Sequence, residues 1–155
     1  MDLRISHFVV LLQVLLGLMF LFLGGVKLLE QKKFAVIVQD YKLLPPHLAN
    51  LVSRLLPLAE IVLGFGLVFQ ILPIEASFIS STLFLIFAGA VGINLLRGRD
   101  NISCGCFGSK KAQGLSWKIV LRNTLLAAIT ISLGIYNRNK GNDSNLSGLE
   151  LILVI

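Results

Sequence analysis

Both cysteines of the chain fall in one short element, Ser103-Cys104-Gly105-Cys106-Phe107-Gly108. Two thiols separated by a single residue suit redox or soft-metal chemistry better than a structural role. Gly105 tolerates the positive φ values that a sharp bend between them requires. Cys104 and Cys106 could therefore close a small strained disulfide, and strained, exposed disulfides are the labile, reactive kind. Arg97, Arg99, Lys110 and Lys111 flank the element. Positive neighbours lower a thiol pKa and favour the thiolate, which is the nucleophile. Two thiols are only half of a tetrahedral zinc site, and His7 and His47 are single and distant in sequence, so no metal is assigned.

The cysteine element lies in a polar loop between long apolar segments, and those segments must position it. The chain has 155 residues, 55% hydrophobic and 14% charged, with a mean hydropathy of +0.85. A soluble domain carries roughly 25% charged residues. Four apolar stretches, about 5–28, 48–72, 74–96 and 117–136, are each long enough for a membrane-spanning helix, which needs about 20 residues. A helix is the open-chain solution that satisfies its own backbone in lipid. The expectation is an all-α bundle of four transmembrane helices, one domain over residues 1–136. A polar, flexible tail with a short apolar end would follow over 137–155.

The first stretch is too long for the apolar region of a signal peptide and lacks a small-x-small cleavage site, so it reads as a retained helix. Between the first two spans, Phe34, Ile37, Val38, Tyr41 and Leu44 recur at helical spacing, with Lys33, Gln39, Asp40 and Lys42 between them. This predicts a short amphipathic helix on the membrane surface, ended by Pro45-Pro46. Gly17 with Gly24, Ala88 with Gly92, and Ala128 with Ser132 are candidate close-packing faces. The net charge of +6 sits in loops. It reads as topology signal and headgroup contact, and the chain offers no basic helix or aromatic RNA motif for nucleic acid.

Antiparallel packing of four spans gathers the end of the first, the start of the second, the end of the third and the start of the fourth on one face. That face carries Lys27, Glu60, Asn94, Arg97, Arg122 and Asn123, together with the cysteine loop. Charges within the hydrocarbon edge are costly unless paired, and Glu60 is the natural partner of Lys27 or Arg122. A bland arrangement has the cations snorkelling to headgroups. The functional one is a polar pocket beneath the thiols. Lys27, Arg97 and Arg122 would stabilise thiolate or a bound anionic group, and Glu60 would orient them or accept a proton.

Cys104-Gly105-Cys106-Phe107-Gly108 before the fourth span resembles the MauE group of methylamine utilisation proteins, within the wider DoxX-like superfamily. Phe34-Ala35 through Tyr41-Lys42-Leu43-Leu44-Pro45, Leu56-Pro57-Leu58-Ala59-Glu60 with Gly64, and Gly24 with Lys27 are similar to the same family. The resemblance covers about residues 5–136. It implies a multi-pass inner-membrane protein that helps a partner acquire disulfides, notably in maturation of the methylamine dehydrogenase small subunit. Other DoxX-like members are linked to quinone-coupled sulfur oxidation, which makes a quinone a candidate cofactor.

The expected activity is thus that of a thiol–disulfide oxidoreductase. Its electrons would pass to a quinone or a thioredoxin-like protein, and its client would be a secreted protein. The alternative is a non-catalytic membrane subunit or carrier whose cysteines bind a soft metal. Orientation is contested between two signals. Lys32, Lys33, Lys42, Arg97, Arg99, Lys110 and Lys111 on the cysteine face would place that face in the cytoplasm by the positive-inside rule. Disulfide chemistry needs the oxidising side. Chemistry and resemblance together favour an extracytoplasmic loop, with both termini in the cytoplasm.

Overall fold

The computed structural model describes the backbone of residues 2–104 and 114–153, and the side chains of residues 5–104 and 114–140. Five helices follow in order: α1 (Asp2–Leu29), α2 (Gln31–Asp40), α3 (Pro46–Val68), α4 (Pro73–Leu96) and α5 (Trp117–Leu153). Four of them, all but α2, are long and apolar enough to cross a membrane. The described residues contain no strand, only one isolated antiparallel bridge between Ser103 and Gly114. The expected all-α four-span bundle with a short helix between the first two spans is what the chain forms.

Helix ends differ from the sequence reading for local reasons. α2 stops at Asp40, before the prolines, because Lys42 turns into the left-handed region at φ 48°. Pro45 and Pro46 instead begin α3, with Pro46 in its first turn. There the missing N–H has no intrahelical partner to lose. α3 ends at Val68, not near Leu72. Gln70 and Leu72 both take positive φ, and Pro73 opens α4. The last helix runs on to Leu153, past the Tyr136 boundary and through the stretch expected as a polar tail. No proline interrupts that stretch.

α1 packs along α3, and α4 along α5, with α3 and α4 joining the two pairs. The α1–α3 contact is backbone against backbone. A Cβ on Gly17 would stand 2.8 Å from the Gly64 carbonyl oxygen, and one on Gly64 would stand 2.8 Å from that of Gly17. One turn-pair further, a Cβ on Gly24 would stand 2.9 Å from the Pro57 carbonyl oxygen. Gly17 and Gly24, seven residues apart on α1, and Gly64 on α3 permit this approach. The other two expected faces do not make such contacts. Ala88 is buried, but a Cβ on Gly92 would meet nothing within 4 Å. Ala128 and Ser132 are exposed, and α5 turns Ala127, Thr130 and Gly134 inward instead.

The interior is more polar than the periphery. Gln13, Ser53, Ser77, Ser80, Ser81, Asn94, Asn123 and Thr130 are buried, while Phe8, Leu11, Phe22, Val62 and Ile86 point outward. The buried polar side chains lie beside a buried apolar cluster that includes Leu16, Phe20, Leu67 and Phe84, and the apolar exterior suits a lipid surround, where interhelical hydrogen bonds and close packing hold helices together. Gln13 Nε2 donates to Ser77 Oγ across α1 and α4 at 3.2 Å.

The glycine contact gives a direct expectation. Gly64→Val forces α1 and α3 apart and destabilises the protein by about 1–3 kcal/mol or more, the range for overpacking. Gly25→Ala, where an added Cβ meets nothing within 4 Å, is the matched control and leaves the melting temperature in detergent near wild type.

Candidate functional site

The cysteine loop has a closed neck. The Ser103–Gly114 bridge and a hydrogen bond from Leu115 N to Asp100 O at 2.7 Å bring its two ends together. Gly114 permits this, since a Cβ there would lie 2.6 Å from Asp100 O. Cys104 stands at the neck. Cys106, Lys110 and Lys111 lie outside the described residues, so the paired-thiol reading concerns a partner sulfur whose position is not described. Tyr41, one residue beyond α2, donates from its hydroxyl to the Cys104 carbonyl oxygen at 3.3 Å. The end of α2 is thereby fixed to the thiol segment.

Two interactions that composition did not single out hold α2 in place. Pro57 has no N–H, so the Ser53 carbonyl four residues earlier loses its helical donor. Gln31, at the start of α2, donates to that carbonyl at 2.9 Å. At the other end of α2, Arg99 donates to the carbonyls of Asp40 at 2.8 Å and Tyr41 at 3.3 Å, and to Asn94 Oδ1 at 3.2 Å. A guanidinium at a helix C-terminus satisfies its unpaired carbonyls and complements its dipole. The loop cation that organises the site is therefore Arg99. Arg97 caps α4 and is exposed.

Beneath lies the buried ion pair. Lys27 of α1 hydrogen-bonds Glu60 of α3, with 3% and 1% of the two side chains exposed. The Lys27 ammonium also faces two rings, 5.3 Å from the Phe34 centroid and 4.9 Å from that of Phe87. Such cation–π contacts strengthen when desolvated. Of the two partners weighed for Glu60, the fold selects Lys27. Arg122 and Asn123 of α5 line the same small cavity of about 70 Å³ with Lys27 and Glu60. Glu60 Oε2 and Asn123 Nδ2 are buried there without a hydrogen-bond partner among the described atoms. The cavity exceeds the about 10–15 Å³ that a bridging water occupies.

A second, larger cavity of about 380 Å³ lies between α2, α3 and α4. Its walls are almost wholly apolar, and Cys104 forms part of them. Phe87 lines both cavities and Phe34 the larger one. The two rings therefore stand between the buried charges and the thiol side. Lys27, Glu60 and Arg122 do line one small cavity, but Lys27 lies behind an aromatic partition, with Cys104 on its apolar side. His7 and His47 are both exposed, and His7 is at the far end of α1. No group of three or more metal-ligating side chains occurs among the described residues.

Breaking the ion pair on one side strands a charge. Glu60→Gln or Lys27→Met alone should cost about 3–5 kcal/mol. Lys27→Met combined with Glu60→Gln should cost clearly less than the sum, and this coupling should exceed that between Arg122→Gln and Glu60→Gln. Denaturation of the purified variants in detergent gives both couplings.

Residues 5–136 match the family described as methylamine utilisation protein MauE. The chain is 36% identical over 122 residues to methylamine utilization protein MauE of Paracoccus denitrificans, covering 79% of this chain and 66% of that one. It is 33% identical over 105 residues to the Paracoccus versutus protein of the same name, covering 68% and 56%. The Methylorubrum extorquens protein of that name is 36% identical over 107 residues, covering 69% and 58%. The chain thus spans about two thirds or less of the length of these relatives. No solved structure matches. Family match and identities agree with the helical bundle, and the chain belongs to the MauE family of multi-pass membrane proteins.

Proposed function

We propose that this protein is a membrane thiol–disulfide redox protein that helps a partner acquire disulfides. In its redox step two S–H bonds, on Cys104 and Cys106, break and one S–S bond forms. Two electrons and two protons leave for an acceptor, a quinone or a thioredoxin-like protein. The resulting disulfide then oxidises a client dithiol by exchange. The observation that carries this reading is Cys104 itself. It is held at the loop neck by Tyr41 and the Ser103–Gly114 bridge, at the wall of a cavity, next to a second cysteine in sequence. A merely structural thiol needs none of these supports.

The relatives' names supply the context. They are methylamine utilization proteins, so the proposed client is a protein of methylamine oxidation, of the methylamine dehydrogenase type, matured outside the cytoplasm. That requires the inner membrane, with the cysteine loop on the extracytoplasmic side. Lys27, Glu60 and Arg122 then serve as the electrostatic support of the bundle beneath the loop, and Arg97 as a surface cation near the thiols.

Differential alkylation of Cys104 and Cys106 in intact membranes should show both changing reversibly together on reduction. Thiols that stay reduced, with Cys104→Ser and Cys106→Ser supporting client maturation as wild type does, would leave the non-catalytic subunit reading standing.

A membrane-impermeant maleimide should label the mildly reduced cysteines in intact cells, while a reporter fused after Ile155 stays cytoplasmic. Labelling only after lysis reverses the orientation and removes the disulfide-forming role.

A further inference from the structure

We infer that the start of α5 is a binding site for an anionic phospholipid, with the phosphate on Lys118 and Arg122 and an acyl chain along Leu121 and Leu125. The site is independent of the thiol chemistry proposed above. Lys118, Leu121, Arg122 and Leu125 recur at i, i+3, i+4 and i+7, which places them on one helical face. Together with Leu126 they line a groove of about 370 Å³. The groove lies in the span Trp117–Lys140, at the end that joins the cysteine loop. Leu121 and Leu125 are exposed and face acyl chains there. Lys118 is exposed and Arg122 half-buried. Long basic side chains lay their methylene stems on apolar surface while the charged ends reach the headgroup level. Trp117, exposed in the same turn, is the residue type that marks that level.

Charge selects the headgroup. No acidic residue stands between Asp100 and Asp143, a stretch that holds Lys110, Lys111, Lys118, Arg122, Arg138 and Lys140. Among the described residues no carboxylate lines the groove or pairs with Lys118. The first turn of α5 also lacks an acidic residue, so the positive end of its dipole is not offset from within that turn. A zwitterionic lipid offers the same chain and phosphate but brings its own cation to this basic end. Free phosphate matches the charges but leaves the apolar floor uncovered. A phospholipid of net negative charge satisfies both. Arg122 lines this groove and also the small cavity that holds Lys27 and Glu60, so the lipid phosphate places its charge at the edge of the buried ion pair.

Trp117 is the chain's one tryptophan, adjacent to Lys118 and one turn from Leu121, so its fluorescence reports occupancy. The full-length protein is reconstituted into phosphatidylcholine vesicles that contain either phosphatidylglycerol or phosphatidylcholine brominated in the upper acyl chain, a short-range quencher. At low ionic strength the brominated phosphatidylglycerol should associate about fivefold or more tightly than its phosphatidylcholine counterpart, since each basic side chain at an anionic surface contributes about that factor. The preference should vanish in Lys118→Gln/Arg122→Gln and fall partway in Lys118→Gln, whose exposed side chain tolerates the change. It should persist in Arg54→Gln, an exposed cation of α3. Equal quenching by the two lipids in the wild type overturns the site, as does a preference that Lys118→Gln leaves unchanged. A preference that Arg54→Gln lowers as much as Lys118→Gln does identifies diffuse attraction by net charge, and overturns it too. Inorganic phosphate that relieves the quenching more than sodium chloride at matched ionic strength identifies free phosphate as the occupant and overturns the lipid.

Discussion

The buried Lys27–Glu60 pair is the constraint on which the bundle's arrangement turns. An ion pair in an apolar interior is tolerated only if its partners meet and little charge is left unmatched. Meeting requires α1 and α3 to lie close and in one register. The glycine contacts of Gly17, Gly24 and Gly64 provide the closeness, and Gly24 stands against the Glu60 turn itself, 3.2 Å from a built Cβ to Glu60 Cβ. The steric and the electrostatic requirements thus specify the same alignment. The pair serves specificity as much as stability, because a slip of one helix by a turn would strand both charges.

From this pair the rest of the site is built outward. Phe34 and Phe87 lie over the Lys27 ammonium, which draws α2 and α4 in toward the α1–α3 contact. α2 is then held at both ends through carbonyl groups that the helices cannot satisfy internally. The Ser53 carbonyl, orphaned by Pro57, takes Gln31, and the terminal carbonyls of α2 take Arg99. A short helix of ten residues has little intrinsic stability in water. Here two side-chain anchors and an apolar face convert it into the roof of a cavity. Tyr41 extends the same structure to Cys104.

Polarity is distributed accordingly. Hydroxyl and amide side chains lie between helices, as Gln13 and Ser77 do, while large apolar side chains cover the outside. Between them the interior also holds an apolar cluster that includes Phe20, Leu67 and Phe84, and the larger cavity is a further apolar space, roofed by α2. Its position next to a thiol is what separates it from an ordinary packing defect.

The sequence by itself determined the four spans, the short helix between them and the family. Hydropathy sums over about 20 residues and is insensitive to any one contact, and Cys104-Gly105-Cys106 stands out in a chain with no other cysteine. Antiparallel packing also placed Lys27, Glu60 and Arg122 on one face before any contact was known. Which of two cations Glu60 takes could not be read, because it depends on the closeness of α1 and α3, which only the interlocked glycines decide. Ala128 and Ser132 show the limit from the other side. Their spacing suits a contact, but the rotation of α5 turns them outward and brings Ala127 and Thr130 in. The aromatic partition and the apolar cavity were illegible for the same reason. Phe34 and Phe87 are 53 residues apart in a chain with ten phenylalanines, and only tertiary packing gives those two a cation between them and a thiol beyond.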